Sequence, residues 1–189
     1  MLEKINIYRR LVKLNDGQAV LLRPLVETDE DNLVALFQTA TGEAKRFLRS
    51  DVSDEALVRS WAQHIDHARA LPIVAEVSGR VVGEVFLHFG RRSTRHLAEV
   101  HIYLEPAYRG KGLGSIMLKE VISLARQAGL QYLLAQIVLE QHEAIKAFQN
   151  LGFKMEASIR DYFIDAEGQM HNVVILMLQL HPEMSHYEF

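Results

Sequence analysis

Two hydrophobic periodicities meet near the middle of the chain, between residues 98 and 129. From Ala98 to Leu104 apolar side chains alternate with polar ones, which is the pattern of a β-strand. Pro106 cannot donate to a sheet, so strand pairing is expected to end there. After a short glycine-rich segment, apolar side chains recur every three or four residues until Gly129, which is typical of an amphipathic helix closed by a glycine. The pattern therefore predicts a strand, a tight turn and a helix in succession.

The rest of the chain contains further segments with strand or helix periodicity. Strands are predicted over residues 4–14, 19–23, 72–77, 81–89, 132–139, 153–164 and 169–180, and a helix over 142–151. Two earlier helices are predicted, one capped by Thr28 and one starting at Ser53 and Asp54. The second carries an apolar stripe of Leu57, Val58, Trp61, Ile65 and Ala68. Residues 41–50 are expected to form a loop. This order predicts an α/β domain with a mixed sheet.

The segment between the central strand and the central helix has the properties of an anion site. We call it the anion turn; it consists of Arg109, Gly110, Lys111, Gly112, Leu113 and Gly114. The first N–H groups of a helix have no intrahelical partners and carry the positive end of the helix dipole. Glycines allow a ligand to approach the backbone closely, and the two basic residues add positive charge. Such a turn suits a pyrophosphate. The simpler alternative is a tight turn with two solvated cations.

Two other phosphate-binding motifs do not fit the spacing of this turn. A P-loop requires a lysine directly after its second glycine, followed by Ser or Thr, whereas Lys111 precedes Gly112. A dinucleotide fold requires Gly-x-Gly-x-x-Gly and an acid about 20 residues later. Neither pattern is present, so nucleoside triphosphates and dinucleotides are not the expected ligands.

The residues around the anion turn resemble the acetyl-CoA-binding motif of the GNAT N-acetyltransferases. The motif is carried by Leu104, Glu105, Pro106, Arg109, Gly112 and Gly114. The resemblance continues through residues 144–153, which end in Leu-Gly-Phe, and extends more weakly upstream to about Gln18. It implies the GNAT-type acyl-CoA N-acyltransferase fold, with a mixed, mostly antiparallel sheet and flanking helices. The expected organisation is an N-terminal strand extension over 1–17, a single GNAT domain over 18–181 and a C-terminal tail over 182–189.

The resemblance also implies where acetyl-CoA binds and which group acts as base. In GNAT folds the strand before the phosphate turn and the strand after the central helix splay apart, and the pantetheine arm fits between them. The contacts implied are Ile102, Tyr103, Leu104, Gln141, Phe148 and the six residues of the anion turn. The thioester is then expected near Glu99 and His101. Glu99 resembles the general base of bacterial protein lysine acetyltransferases; the alternative is a strand-face glutamate that is solvated or paired with an arginine.

Three positions depart from the family pattern. Many members carry a proton-donating tyrosine where this chain has Phe148, which has no proton to give. Gln141 stands where other members have an asparagine, and Gln136 stands where some have a catalytic glutamate. The leaving thiolate is therefore expected to take its proton from water or from another donor. Tyr162 and Tyr103 are the candidates, although such tyrosines are more often packing residues.

Composition excludes several other classes of function. The chain has 189 residues, of which 49% are hydrophobic, and suits one domain with a substantial core. A net charge of −3 gives no reason to expect nucleic acid. The absence of cysteine excludes disulfides and a thiol nucleophile. No apolar signal region or run of about 20 apolar residues is present, so we expect a cytoplasmic protein without a membrane partner.

Neither a metal site nor an oligomeric state is indicated by a specific pattern. His64 and His67 could share a helix face, but no third ligand completes a set, so no metal is expected. Homodimers are common among GNAT proteins, and the apolar run over 173–180 could serve a core or a homodimer interface equally well.

The leading hypothesis is an acetyl-CoA-dependent N-acetyltransferase that acts on a primary amine. The acceptor is a small molecule, a protein lysine or a protein N-terminus. Segments near the start, RLVKLNDG, LLRPL and AKRFLR, resemble somewhat the acetyltransferase domains of bacterial protein lysine acetyltransferases, which is a weak pointer to protein lysine. The second hypothesis is a catalytically weak or silent acyl-CoA-binding sensor or structural module. Such a protein would combine an intact anion turn with the loss of the proton donor, as Phe148 indicates. A phosphate-binding regulatory domain for another nucleotide is a distant third.

Overall fold

The computed structural model describes residues 8–40, 42–48 and 50–181. They form two compact units: the first contains the described residues up to 86 together with 101–117, and the second contains 87–100 and the described residues from 118 onwards. The predicted first strand, over 4–14, is described only in part, because residues 1–7 lie outside the described residues, as does the predicted tail over 182–189.

The helices and strands confirm the predicted α/β class. In chain order they are β1 (Arg10–Lys13), β2 (Ala19–Pro24), α1 (Glu30–Gln38), α2 (Gly42–Arg46), α3 (Glu55–Gln63), β3 (Ala70–Val77), β4 (Arg80–Phe89), β5 (Leu97–Leu104), α4 (Leu113–Gln127), β6 (Tyr132–Val138), α5 (His142–Gln149), β7 (Lys154–Ile164) and β8 (Met170–Gln179). The strand order is β1-β2-β3-β4-β5-β6-β8-β7, and the sheet is mixed and mostly antiparallel. None of the described helices is long and apolar enough to cross a membrane.

The first unit is built on antiparallel strands covered by two helices. At the start of β2 the fully buried Val20 and Leu22 alternate with the more exposed Ala19 and Leu21, which is the period of a strand with one buried face. α1 contributes Leu33, Leu36 and Phe37 to the core, as its spacing predicts. Trp61 of α3 packs edge-on against the Phe37 ring, with the ring centroids 5.5 Å apart. These contacts bury the apolar faces of both helices and fix them on this unit.

The start of α1 differs from the prediction, because Asp29 is held by Arg23. The helix begins one residue after Asp29, so Thr28 is not its N-cap. The Arg23 guanidinium donates to the two Asp29 carboxylate oxygens at 2.5 and 2.7 Å and to Glu76 at 2.6 Å. Burial alone would raise the pKa of Asp29, but hydrogen bonds from Arg23 and from the Val26 N–H lower it below its ordinary value. Asp29 is therefore an ionised part of a buried network.

α3 is shorter than its apolar stripe predicts. It starts after Asp54, whose carboxylate accepts a helical N–H at 3.1 Å as an N-cap. The chain then leaves the helix and turns at Asp66, whose Oδ1 accepts the Ala68 N–H at 2.9 Å. Ile65 and Ala68 therefore lie outside α3, and Val58 is the best-buried residue of the predicted stripe.

The segment over 41–50, predicted as a loop, contains the short helix α2. Its residues Gly-Glu-Ala-Lys-Arg include four good helix formers, so local helix propensity favours this short helix.

The second unit contains the parallel strand pair and the C-terminal hairpin. β6 pairs with β8 antiparallel over its whole length, from Tyr132 opposite Gln179 to Val138 opposite Val173. β7 pairs with β8 as predicted, with register shifts between 155 and 157 and between 159 and 163. Gly152, with φ +94°, follows α5 at the position where the sequence predicts the helix to end.

Candidate functional site

The backbone of the anion turn adopts the conformation that its glycines allow. Gly110 and Gly112 have φ values of +71° and +87°, which side chains disfavour, and α4 begins at the next residue, Leu113. A Cβ on Gly114 would stand 3.2 Å from Leu104 Cδ1, so the first turn of α4 lies directly on the end of β5. The helix N-terminus and the glycine backbone together form the type of surface that binds phosphate.

The two basic side chains of the anion turn are held by neighbouring groups of the first unit. Arg109 Nε donates to the Leu104 carbonyl at 3.1 Å, and its guanidinium lies 5.7 Å from the centre of the Tyr103 ring. Lys111 Nζ lies 5.3 Å from the centre of the Tyr108 ring and 3.1 Å from Asp16 Oδ2. Both cations therefore stay at the turn, and neither is buried in a closed ion pair.

The three predicted contact residues at the end of β5 point to two faces, as their alternation predicts. Ile102 and Leu104 lie towards Gly114 of α4. Tyr103 is 6% exposed on the other face, stacked on Phe37 with the ring centroids 5.1 Å apart. The Tyr103 hydroxyl lies 3.5 Å from the Thr39 hydroxyl. The first unit thus brings together Ile102, Tyr103, Leu104 and the anion turn.

A buried glutamate that the sequence analysis missed lies beside Tyr103. Gly83 faces Leu104, because a Cβ there would stand 2.6 Å from Leu104 Cδ2, so the next residue, Glu84, points to the opposite face. The Glu105 N–H donates to the Val82 carbonyl at 3.0 Å, and this register puts Glu84 opposite Tyr103.

The carboxyl group of Glu84 is buried, and one of its two oxygens lacks a described hydrogen-bond partner. The residue is 8% exposed, and its Oε2 has no hydrogen-bond partner among the described residues. Burial raises the pKa of Glu84 to about 8. Glu84 is therefore largely protonated at neutral pH. A glutamate at an inward-facing position of an otherwise apolar strand was the available sequence clue.

The second unit contains Glu99, the predicted general base. Glu99 is half-buried, and its Oε1 is shielded from solvent. The described parallel pairing of β5 with β6 covers three residue pairs and ends with Glu99 opposite Leu134, although both strands continue. Glu99 therefore stands where this pairing stops, which is compatible with the splayed strands that the family resemblance implies.

The other predicted residues of the second unit have different environments. Gln141 precedes α5 and donates its N–H to the Val138 carbonyl at 2.9 Å. Phe148 is 3% exposed and packs edge-on against Phe153 at 5.0 Å between ring centroids. Tyr162 is 54% exposed on β7. The roles of all three in acetyl-CoA binding or proton donation stay predictions.

A second carboxylate cluster, also missed from sequence, surrounds His171 of β8. Its Nε2 lies 2.9 Å from Asp165 Oδ2 and its Nδ1 lies 3.0 Å from Glu140 Oε1. The Glu140 carboxylate, and next the Asp165 carboxylate, raise the pKa of His171 above its ordinary value. The His171 ring thus joins Asp165, in the β7–β8 loop, to Glu140, the residue before Gln141. In the part of the chain that the structure describes, no group of three or more His, Asp or Glu residues is placed to hold a metal ion.

The glycine at position 112 provides a direct test of the anion turn. Gly112→Ala is expected to raise the Kd for acetyl-CoA at least about tenfold, because alanine disfavours φ +87° by about 1–2 kcal/mol and shifts the turn. Its Cβ would also meet Asn15 Oδ1 at 3.0 Å. Gly79→Ala is the matched control, since Gly79 has φ +80° in a hairpin with nothing within 4 Å. Equal acetyl-CoA affinity of the two variants in a calorimetric titration would contradict the assignment of the turn.

Comparison with known proteins agrees with this geometry. Residues 32–153 match the model of the acetyltransferase (GNAT) family. YwnH of Bacillus subtilis (strain 168), whose name describes a phosphinothricin acetyltransferase, is 27% identical over 84% of this chain and 98% of its own. The L-methionine sulfoximine/L-methionine sulfone acetyltransferase of Salmonella typhimurium is 30% identical over 57% of this chain and 64% of its own.

A solved structure shows the same fold with its ligand. The structure of yncA from Salmonella typhimurium with its cofactor acetyl-CoA superposes with a TM-score of 0.73 at 23% identity, covering 85% of this chain and 94% of that one. The family match spans more than half of the sequence and includes the whole strand, anion turn and helix described above. The chain therefore belongs to the GNAT acetyltransferase family, and its activity is the transfer of an acetyl group from acetyl-CoA to an amine.

Proposed function

We propose that the acceptor of this N-acetyltransferase is the primary amine of a small amino-acid-like molecule. The relatives support this, because one of them is named for L-methionine sulfoximine and L-methionine sulfone, which are amino-acid derivatives. The main observation that supports an acetyl-CoA-binding site is the anion turn, in which two positive-φ glycines precede the N-terminus of α4. The turn holds the pyrophosphate, and the end of β5 lines the pantetheine arm.

The chemical step is a direct attack of the amine on the acetyl thioester. Glu99 takes a proton from the acceptor ammonium, directly or through water, and the neutral nitrogen attacks the carbonyl carbon. A C–N bond forms, the C–S bond breaks and the CoA thiolate leaves, while the nitrogen gives up its second proton to solvent. Because Phe148 has no proton to give, the thiolate takes its proton from water or from Tyr162.

The acceptor proposal is tested by CoA release, measured with a thiol reagent and a panel of amines. The panel contains methionine sulfoximine, phosphinothricin, natural amino acids, a polyamine and a lysine-containing peptide. We expect the highest kcat/KM among the amino-acid-like acceptors. A lysine peptide or a polyamine with a kcat/KM more than tenfold higher than theirs would show that the acceptor proposal is wrong.

An acyl-CoA sensor is the second candidate, and one observation favours it. Phe148 is buried against Phe153 where many family members have a proton donor. Submicromolar acetyl-CoA binding with no turnover on any amine of the panel would favour the sensor.

A cytoplasmic location and a homodimer stay predictions.

A further inference from the structure

The turn between β1 and β2 lies directly on the anion turn. The Asn15 N–H donates to the Lys111 carbonyl at 3.1 Å. The Asn15 carboxamide covers Gly112, since a Cβ on that glycine would stand 3.0 Å from Asn15 Oδ1. Asp16 Oδ2 lies 3.1 Å from Lys111 Nζ. Three separate contacts therefore join the N-terminal hairpin to the surface that is proposed to hold the pyrophosphate.

The carboxylate of Asp16 is charged and remains accessible. Its Oδ1 accepts the Gln18 N–H at 3.0 Å, and this hydrogen bond, followed by that from Lys111, holds the pKa of Asp16 below its ordinary value. The side chains of Lys111 and Asp16 are 38% and 41% exposed, so solvent and ligands reach both. The Asp16 carboxylate thus occupies the Lys111 ammonium group, which a ligand phosphate would also contact.

We propose that Asp16 is a displaceable counter-ion of Lys111 that sets the affinity for acetyl-CoA and CoA. When a ligand phosphate binds, Lys111 exchanges the Asp16 carboxylate for the phosphate, and the released carboxylate stays near the bound anion. Because acetyl-CoA and CoA carry the same phosphates, Asp16 weakens the binding of both and so favours release of the CoA product. This inference rests on the proposed role of the anion turn.

The test is a titration of acetyl-CoA and CoA into the full chain and its Asp16→Asn variant at low and high salt. Asparagine keeps an acceptor oxygen for the Gln18 N–H and removes the charge. We expect both Kd values to fall by about two- to fivefold in about 50 mM salt, the range for exposed ion pairs, and the gain to shrink in about 500 mM salt.

Asp66→Asn is the matched control for the Asp16 variant. Asp66 makes the same kind of turn, with Oδ1 accepting the Ala68 N–H at 2.9 Å and Oδ2 3.0 Å from Arg69 Nε, but it has no contact with the anion turn among those described. Its Kd values are expected to stay unchanged. Melting temperatures of both variants within about 2 °C of the parent would show that the fold is kept.

Lys111→Met separates failure of this inference from failure of the proposed site. We expect Lys111→Met to weaken acetyl-CoA binding and to remove most of the gain from Asp16→Asn when the two are combined. The counter-ion proposal would be overturned if Asp16→Asn alone did not raise the affinity for acetyl-CoA, or if it raised that affinity equally in the combined variant. Either result would leave the proposed acetyl-CoA site unaffected. Unchanged acetyl-CoA affinity in Lys111→Met would contradict the role of Lys111 in the site itself and overturn this inference as well.

Discussion

Replacing Glu99 with glutamine is expected to lower kcat/KM for the best amine by at least about 100-fold without changing the Kd for acetyl-CoA. A general base contributes about two to four orders of magnitude, and the amide cannot accept the proton of an ammonium. The half-buried position of Glu99, where the described pairing of β5 with β6 ends, supports this role. Steady-state kinetics with a thiol reagent and calorimetry of acetyl-CoA binding provide the two quantities.

The pH dependence distinguishes a base from a structural glutamate. Without the base, only the free amine reacts, so log kcat/KM of Glu99→Gln should rise with a slope of about one up to the pKa of the acceptor. Glu156→Gln is the control, because Glu156 is an exposed glutamate on β7 and should leave the kinetics unchanged. Turnover of Glu99→Gln within threefold of the parent would remove Glu99 from the mechanism and leave the acetyltransferase activity unaffected.

Replacing Glu84 with glutamine or leucine is expected to stabilise the protein above neutral pH. Burial raises the pKa of Glu84 to about 8, whereas the same group in the unfolded chain titrates near its ordinary value of 4.5. Between these values the folded state binds the extra proton, so the contribution of Glu84 to the free energy of unfolding falls as pH rises. The loss reaches up to about 5 kcal/mol above pH 8, which is an upper limit.

Urea unfolding between pH 5 and pH 9 measures this contribution. Glu84→Gln should flatten the fall in stability between pH 5 and 8, and Glu84→Leu should add apolar burial to the same effect. Glu84→Gln that is less stable than the parent at pH 8 would show that the carboxyl group has a stabilising partner. A variant that is more stable but less active would mean that Glu84 is retained for function and not for folding.

The central strand, anion turn and helix could be predicted from sequence because local chemistry determines them. Alternation from Ala98 to Leu104, the proline after it and the glycines at 110 and 112 each restrict the backbone without help from distant residues. The structure confirms the two faces of β5 and the helix after the turn, which begins at Leu113, so the last two residues of the anion turn form the start of α4. The fold class also follows from the order of such segments, since few sheet topologies accommodate it.

The start of α1 could not be predicted from the capping signal alone, because an ion network formed on folding decides it. Thr28 has the chemistry of an N-cap, but Arg23, which also binds Glu76, holds the Asp29 carboxylate in a buried ion pair, and α1 begins after Asp29. The end of α3 has a local cause instead: its apolar stripe continues in the sequence to Ala68, yet the chain leaves the helix after Gln63 and forms an Asx turn at Asp66. Local propensity is a weak determinant where tertiary contacts compete with it.

The sequence by itself determined the fold class and the succession of strand, glycine-rich turn and helix at the centre of the chain. Only the tertiary structure decided that Asp16 lies on Lys111, that Glu84 stands opposite Tyr103, and that His171 joins Glu140 to Asp165. The physical reason is the separation along the chain over which each kind of interaction acts. Backbone preferences act between neighbours in the chain, whereas the charge state of a carboxyl group depends on the burial and partners that distant segments supply.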